Sequence, residues 1–294
     1  MIKKTLKGLT GYFFIAPAII TLMFLSLFPI FQAMYMSFFD GNLGNFTLRF
    51  VGLDNYRMLL TNTRSLNAIW RSLVFSTSVV VGIFMIGMIL ALALNAPIRA
   101  RKAFRTMSLM PWVVSGVVTG LTWRWLMNTN FGLVNDILIR LNIIETGIEW
   151  LGRPNLAFFS VIVATIWRSF PFVMLMLLAG LQSIDIGQYE SASLDGANPI
   201  QKFLYITLPN LRPVSMPVLL TQIIWQLHNF DLVAAMTGLG PVNATETLPI
   251  NIYTNAFSYF QFNYASAVGV VLLIFTLILS TVYIKYYLKI LDES

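Results

Sequence analysis

Long apolar windows alternate with short polar segments along this chain of 294 residues. A helix that crosses a membrane needs about twenty predominantly apolar residues. The windows that meet this criterion are residues 12–39, 72–95, 107–127, 156–180, 213–235 and 264–288. They do not alternate with period two, so a membrane β-barrel is not expected. The pattern predicts an all-α integral membrane protein, with six transmembrane helices forming a single domain over residues 1–294.

The first window follows positive charge, as the apolar region of a secretory signal peptide does. Lys3, Lys4 and Lys7 precede it. The apolar region of a signal peptide is about 7–15 residues long, whereas the run here extends from Tyr12 to Phe39. We therefore expect a signal anchor that remains as the first transmembrane helix.

The composition favours lipid as the solvent. Charged residues make up 11% of the chain, against roughly 25% in soluble domains, and hydrophobic residues make up 57%. Membrane orientation explains the net charge of +7 better than nucleic acid does, so no nucleic-acid partner is expected. The absence of cysteine excludes thiolate chemistry, and a single histidine, His228, excludes a histidine-rich metal site.

Lysine and arginine are unevenly distributed between the two sides of the predicted membrane. Eleven stand on one side, namely Lys3, Lys4, Lys7, Arg99, Arg101, Lys102, Arg105, Lys202, Arg212, Lys285 and Lys289. Five stand on the other, namely Arg49, Arg57, Arg64, Arg140 and Arg153. Cytoplasmic loops carry the excess of positive residues. The distribution therefore predicts a multi-pass protein with both termini in the cytoplasm.

A polar insert, residues 181–212, separates the fourth and fifth windows and lies on the predicted cytoplasmic side. Its capping and helix-stop residues predict two short helices. Asp185 followed by Gln188 fits a capping box, and Gly196 fits a helix stop. Asn198 with Pro199 forms a second N-terminal cap, with Gln201 at the third helical position, and Leu208–Pro209 is expected to end that helix.

Small residues share a face with an aromatic residue in the first of these short helices. Tyr189, Ala192 and Ser193 recur at three- and four-residue spacing, which places them on one side of a helix. Such a face suits close docking to another protein. The alternative is an ordinary helical loop, which capping alone would favour.

The whole insert resembles a family signature. The residues are Glu190-Ser191-Ala192, Asp195-Gly196-Ala197, Phe203, Ile206 and Leu208-Pro209. They are similar to the "EAA" loop in the membrane subunits of binding-protein-dependent ABC importers, which usually have alanine where Ser191 stands. Further stretches resemble the oligosaccharide branch, which includes the maltose importer: "FVGLDNYRMLL", "NFDLVAAMTGLGPVNATETL" and "FNYASAVGVVLLI".

The resemblance implies a type I ABC importer permease, similar to the first permease of the maltose-type pair. The insert would form the coupling helix that docks into a groove on a cytoplasmic ATPase. The residues implied in coupling are Tyr189, Glu190, Ser191, Ala192, Asp195 and Gly196. The implied partners are a second related permease, two ATPase subunits, an extracytoplasmic solute-binding protein and a saccharide, in the inner membrane of a bacterium or archaeon.

The chain carries no motif for catalysis of its own. It lacks G-x-x-x-x-G-K-[ST], so it does not bind ATP through a P-loop. No nucleophile-and-base pattern is evident either. We expect no bound cofactor and no enzymatic activity, with ATP and magnesium used by the partner ATPase.

Polar residues within two windows are candidates for a solute path. Arg168 is costly inside a span, and its guanidinium could hold sugar hydroxyls, a carboxylate or a buried backbone carbonyl. Gln222, Trp225, Gln226 and Asn229 follow one helical face, here called the polar stripe. It suits a sugar, and the alternative is a hydrogen-bonded helix seam.

The resemblance to the maltose-type site enlarges this candidate set. It implies solute contacts at Thr165, Arg168, Ser169, Phe172, Gln222, Trp225, Gln226 and Asn229. His228 lies about 100° from the stripe on a helix and receives no role, and neither does Asp231.

Two other functions compete with an importer permease. A secondary, ion-coupled transporter would also have apolar spans, but it usually shows an inverted repeat or paired broken helices, and the sequence shows neither convincingly. A membrane-embedded enzyme would need a catalytic constellation, which is missing.

Overall fold

The computed structural model describes residues 14–41, 48–97, 99–238 and 240–292, with side chains up to residue 289. Helices account for most of this part of the chain. In order they are α1 (Phe14–Met36), α2 (Asp54–Thr61), α3 (Thr63–Asn95), α4 (Arg101–Val113), α5 (Gly116–Leu126), α6 (Leu133–Arg140), α7 (Pro154–Gln182), α8 (Ile186–Leu194), α9 (Pro199–Lys202), α10 (Leu208–Leu227), α11 (Asp231–Thr237), α12 (Leu248–Tyr253) and α13 (Phe262–Asp292). Strands β1 (Phe39–Asp40) and β2 (Arg49–Phe50) pair antiparallel.

Four helices are long and apolar enough to cross a membrane within the described residues. They are α1, α3, α7 and the segment Phe262–Lys289 of α13. They confirm the windows 12–39, 72–95, 156–180 and 264–288 as membrane-length helices. The lysines before the first window, Lys3, Lys4 and Lys7, lie outside the described residues.

The other two windows are not continuous helices. Val114, in the middle of window 107–127, is extended, and Ser115 caps the next helix by accepting a hydrogen bond from Val118 N. Window 213–235 is interrupted at residues 228–230, after which Asp231 begins a new helix. Expecting six unbroken spans was therefore wrong at these two places, because apolar composition does not reveal where a backbone leaves the helix.

The contacts divide the chain into two compact units, and the boundaries fall inside helices α3, α12 and α13. One unit comprises Asn67–Ile250 with the chain from Phe275. Its core is built around α7, from which Val161, Ala164, Val173, Met174, Leu177 and Leu178 are buried. Side chains of α3, α10 and α11 complete the same apolar cluster.

The other unit comprises the described residues up to Leu66 together with Asn251–Ile274. Asn55 fixes the end of β1 here by donating to the carbonyls of Ser37 and Phe39 at 2.9 and 2.8 Å. Ser65 and Tyr264 share a buried hydroxyl–hydroxyl hydrogen bond of 2.6 Å. These bonds order the short β1–β2 hairpin and the start of α13.

Helix α5 packs directly on α11 through two glycines one turn apart. A β-carbon on Gly120 would lie 2.7 Å from Leu232 O and 2.8 Å from Ala235 Cβ, and one on Gly116 would lie 3.1 Å from Asp231 Cβ. Glycine at four-residue spacing lets two helix backbones approach closely in membranes. The second halves of both interrupted windows are therefore joined to each other.

Candidate functional site

The polar insert folds as two capped helices. Asp185 accepts a hydrogen bond from Gly187 N at the start of α8. At its end Gly196 has a φ of +78°, and Ala197 N and Gly196 N donate to the carbonyls of Ala192 and Ser193. This is a Schellman stop, in which glycine takes the left-handed position. The stop predicted at Gly196 is confirmed.

The second helix begins as predicted but does not end there. Asn198 and Gln201 form a complete capping box at α9. The chain then continues through a π-helical turn, Phe203–Thr207, directly into α10. Pro209 lies in the first turn of α10, where its missing N–H is tolerated. The expectation that Leu208–Pro209 ends the helix was wrong, because the wider turn accommodates the proline.

A second detail of the insert also differs from expectation. Gln188 does not close a capping box with Asp185, because its side-chain oxygen accepts a hydrogen bond from Asn210 Nδ2 at 2.9 Å. Tyr189 hydroxyl meets Thr207 Oγ1 at 2.8 Å. Lys202 Nζ donates to Ser193 Oγ at 2.6 Å. These three bonds tie α8 to the segment that leads into α10.

The candidate coupling residues differ in their solvent exposure. Tyr189 is half-buried and packs against the apolar core, and Ala192 is half-buried. Glu190, Ser191, Asp195 and Gly196 are exposed. Leu194, between them, is 89% exposed. Tyr189 thus anchors the helix while its neighbours present a mixed acidic and apolar surface.

A cavity of about 220 Å³ lies where the two interrupted windows meet α7. Five of the eight candidate solute residues line it, namely Arg168, Ser169, Trp225, Gln226 and Asn229. The remaining lining residues are Trp112, Gly116, His228, Phe230, Asp231 and Leu232. The cavity therefore forms at the two helix breaks, where polar backbone and side chains face open space.

Arg168 links α7 to the first break. Its Nε donates to the carbonyl of Val114 at 3.0 Å, the residue that directly follows α4. Within the described residues, the Arg168 side chain makes this one hydrogen bond. A carbonyl left open by a helix end is thereby satisfied, and the guanidinium still lines the cavity. The bond to a buried backbone carbonyl is thus observed, and a solute contact of Arg168 stays a prediction.

The polar stripe forms a chain of amide hydrogen bonds along α10. Asn229 Nδ2 donates to Gln226 Oε1 at 2.9 Å, and Gln226 Nε2 donates to Gln222 Oε1 at 3.2 Å. Gln222 is 1% exposed, and its Nε2 atom has no hydrogen-bond partner within the described structure. These bonds fix the orientation of each side-chain amide. Asn229, at one end of the hydrogen-bonded chain, lines the cavity.

Aromatic rings border the same cavity. Trp225 is 48% exposed, and its ring centroid lies 5.3 Å from that of Phe172. Phe172 in turn lies 5.8 Å from Trp112. Rings at these separations pack favourably. Trp112 and Trp225 thus line the cavity beside the amides and the guanidinium, and Phe172 contacts both rings from outside the lining.

The three other candidates do not line the cavity. Thr165 is buried and donates to Val161 O at 2.7 Å, Gln222 is buried behind Gln226, and Phe172 touches Trp225 from outside the lining. Sequence reasoning missed Trp112, and it gave Asp231 and His228 no role. The signal for Trp112 was the adjoining "PWVVSG" run, in which Pro111 and Ser115-Gly116 mark a helix boundary.

Broken apolar helices that meet at a polar and aromatic cavity define a polytopic membrane transport protein. The chain belongs to the family described as "Binding-protein-dependent transport system inner membrane component", whose model matches residues 83–292. It is a permease of a binding-protein-dependent importer. Members of this family are permease subunits of ABC transporters and are not themselves enzymes.

Curated relatives agree with this membership, and a solved structure has the same fold. The chain is 34% identical to the sulfoquinovosyl glycerol transport system permease protein SmoG of Agrobacterium fabrum, over 92% of this chain and 88% of that protein. It is 32% identical to the trehalose/maltose transport system permease protein MalF of Thermococcus litoralis, over 94% and 92%. A bacterial alginate ABC transporter, crystallised with an alginate pentasaccharide-bound periplasmic protein, shares the fold with a TM-score of 0.83 at 22% identity, covering 96% of this chain and 95% of that one.

Proposed function

We propose that this chain forms the membrane path of an ATP-driven importer that carries a saccharide delivered by a solute-binding protein. The observation that carries the proposal is the cavity, which places Arg168, Gln226 and Asn229 beside the ring of Trp225. Amides and a guanidinium pair with sugar hydroxyls, and an indole stacks on the apolar face of a sugar ring. Relatives named as permeases for trehalose/maltose and sulfoquinovosyl glycerol support the same substrate class.

The polar insert is the proposed ATPase docking element. Glu190 and Asp195 have no side-chain partner within the described residues, and Leu194 is almost fully exposed. A docking surface needs an apolar contact framed by polar groups. Tyr189 and Thr207 hold this surface on the helix that leads into α10, so movement of the insert is transmitted to the helix that bears the polar stripe.

The proposed assembly has four further proteins: a second related permease, two ATPase subunits that use ATP and magnesium, and the extracytoplasmic binding protein. The apolar window of helix α1 is not buried within the described part of this chain, so it is free to face either lipid or the proposed second permease. Counting each interrupted window as one span gives six crossings. Together with the uneven lysine and arginine distribution, six crossings support the proposal that both termini are cytoplasmic.

Transport by two cavity variants tests the saccharide path. Trp225→Ala removes a ring contact worth about 1–2 kcal/mol, so import of the saccharide that the binding protein delivers should slow about 5- to 30-fold. Arg168→Lys keeps the charge but loses the planar fork, and should also slow import. The measurement is uptake of labelled saccharide into proteoliposomes that hold the complete complex.

Trp125→Ala is the matched control, because Trp125 is similarly exposed at 57% but lies outside the cavity lining. Trp125→Ala should import at the parental rate. The saccharide affinity of the binding protein itself should be unchanged in all of these experiments. Parental rates in both cavity variants would show that the polar stripe is a packing seam and that the solute passes elsewhere.

A further inference from the structure

Four positively charged residues stand together where helix α4 begins. They are Arg99, Arg101, Lys102 and Arg105, here called the basic cluster. The first turn of α4 contains no acidic residue. Across the described part of the chain, none of these four side chains has a hydrogen-bond or ion-pair partner. The cluster therefore concentrates positive charge without any compensation from the chain itself.

One atom of the cluster is withdrawn from solvent. Arg101 Nη2 is buried and has no hydrogen-bond partner within the described residues, and Arg105 lies half-buried one helical turn further along. Burying a cationic donor without an acceptor is unfavourable. The partial positive charge at the start of a helix adds to the cost, and Ala100 offers no side-chain acceptor there. Arg101 and Arg105 are only partly buried, so an anion from outside the chain can reach the exposed parts of these side chains and offset the charge of the cluster, but it does not contact the buried Nη2 atom.

The surroundings of the cluster indicate what kind of anion fits. Helix α3 has the length and composition of a membrane span and ends at Asn95, so α4 begins at the membrane surface. Phe104, Met107 and Met110 are 55%, 61% and 62% exposed. On a helix Phe104 lies beside Arg101 and Arg105, and Met107 and Met110 continue from it as an apolar strip that turns away from these cations along α4. A ligand that satisfies both groups carries a negative headgroup next to hydrocarbon chains.

We propose that the basic cluster binds the phosphate headgroup of an anionic phospholipid. Arg101 and Arg105 donate to the phosphate oxygens, and an acyl chain lies along Phe104 and Met107. A free inorganic anion, or carboxylates of another subunit, would neutralise the cations but would leave this apolar strip uncovered. The lipid accounts both for the uncompensated charge of the cluster and for the exposed apolar strip that begins beside it.

Lipid titration by native mass spectrometry tests the site. The full chain is purified with the subunits that accompany it, delipidated in detergent, and titrated with phosphatidylglycerol or with neutral phosphatidylcholine. The parent protein should prefer phosphatidylglycerol. Each cation near an anionic headgroup contributes roughly fivefold in affinity, so the double variant Arg101→Gln, Arg105→Gln should bind phosphatidylglycerol about 25-fold more weakly, with phosphatidylcholine binding unchanged.

Lys285→Gln is the matched control, since it removes an exposed cation of α13 from the same predicted membrane side. It should retain the lipid preference. If the double variant does not assemble, Arg105→Gln alone should lose roughly fivefold. The proposal is overturned if the cluster variants bind phosphatidylglycerol like the parent, or if Lys285→Gln loses as much.

A further arm separates the lipid from other anions. Inorganic phosphate is added to the parent complex together with phosphatidylglycerol, and the lipid should remain bound because phosphate cannot contact the apolar strip. Displacement of the lipid at comparable concentration would identify a free-anion site and overturn the lipid assignment. A parent complex without any preference for phosphatidylglycerol would overturn it as well.

Discussion

Gly196 allows the sharpest test of the polar insert, because its backbone rather than its environment restricts substitution. Its φ of +78° lies in the left-handed region, and nothing stands within 4 Å of an added β-carbon. The β-carbon of a replacement residue therefore meets no steric obstacle from neighbours. The cost comes from the backbone alone and amounts to roughly 1–2 kcal/mol for a residue with a β-carbon, with the upper end expected for a β-branched side chain.

We expect this free-energy cost to weaken docking of the insert to the proposed ATPase. The docked insert must keep the native stop, with its hydrogen bonds from Gly196 N and Ala197 N to the end of α8, whereas a free insert can relax. Docking to the proposed ATPase therefore weakens by the same free energy, about 5- to 30-fold. Solute-stimulated ATP hydrolysis by the complex should fall accordingly, while membrane insertion stays normal.

The assay compares Gly196→Val with Gly196→Asn at limiting ATPase concentration. Asparagine tolerates the left-handed region, so Gly196→Asn should stimulate hydrolysis at close to the parental level despite its larger side chain. The reasoning is refuted if Gly196→Val couples fully. It is also refuted if both variants fail alike, since loss would then follow side-chain size and not backbone conformation.

Three further predictions concern packing, loop order and topology. Gly120→Leu should destabilise the protein, because its β-carbon meets the backbone of α11 and overpacking costs typically about 1–3 kcal/mol; Gly269→Ala, with nothing within 4 Å, should leave the melting temperature unchanged or raise it. Asn135→Ala should lower the melting temperature of the complex, since that side chain bonds Ile148 N and O and Trp150 Nε1 and stranded partners cost about 1–3 kcal/mol. In this cysteine-free chain, a cysteine at Asn62 should react with an impermeant thiol reagent outside wall-stripped cells, and one at Gln201 should not; the reverse pattern would contradict the topology.

The sequence predicted the uniformly apolar helices well and the broken ones poorly, for a physical reason. The hydrophobicity of a window indicates how apolar its surroundings are, and α3 and the window around Val114 both meet the same apolar criterion. Hydrophobicity does not report whether each carbonyl finds its helical partner. The break at Val114 is stabilised by Arg168 Nε, which lies 54 residues away in sequence, so no local pattern could show that the open carbonyl is satisfied.

The candidate solute site shows a similar division. Helical spacing correctly placed Gln222, Gln226 and Asn229 on one connected face, because periodicity fixes which residues share a side. It could not fix depth along that side. Gln222 is buried behind the cavity, whereas Asn229 lines it. Depth depends on neighbouring helices, and the neighbour here is an interrupted window that composition presents as continuous.

The proposed docking insert and the cavity lie at the two ends of one helical run, from Pro199 through the π turn to Leu227. Pro213 and Pro217 lie within it and remove backbone donors. Helix α13 compensates in part, since the Tyr287 hydroxyl donates to Pro213 O, the carbonyl that Pro217 leaves open, at 3.2 Å. The Tyr283 hydroxyl adds a second bond between the two helices, to Met216 O at 2.7 Å. A helix weakened internally but held from outside can bend without unfolding, so displacement of the insert can reach Gln226 and Asn229 as a change in cavity shape.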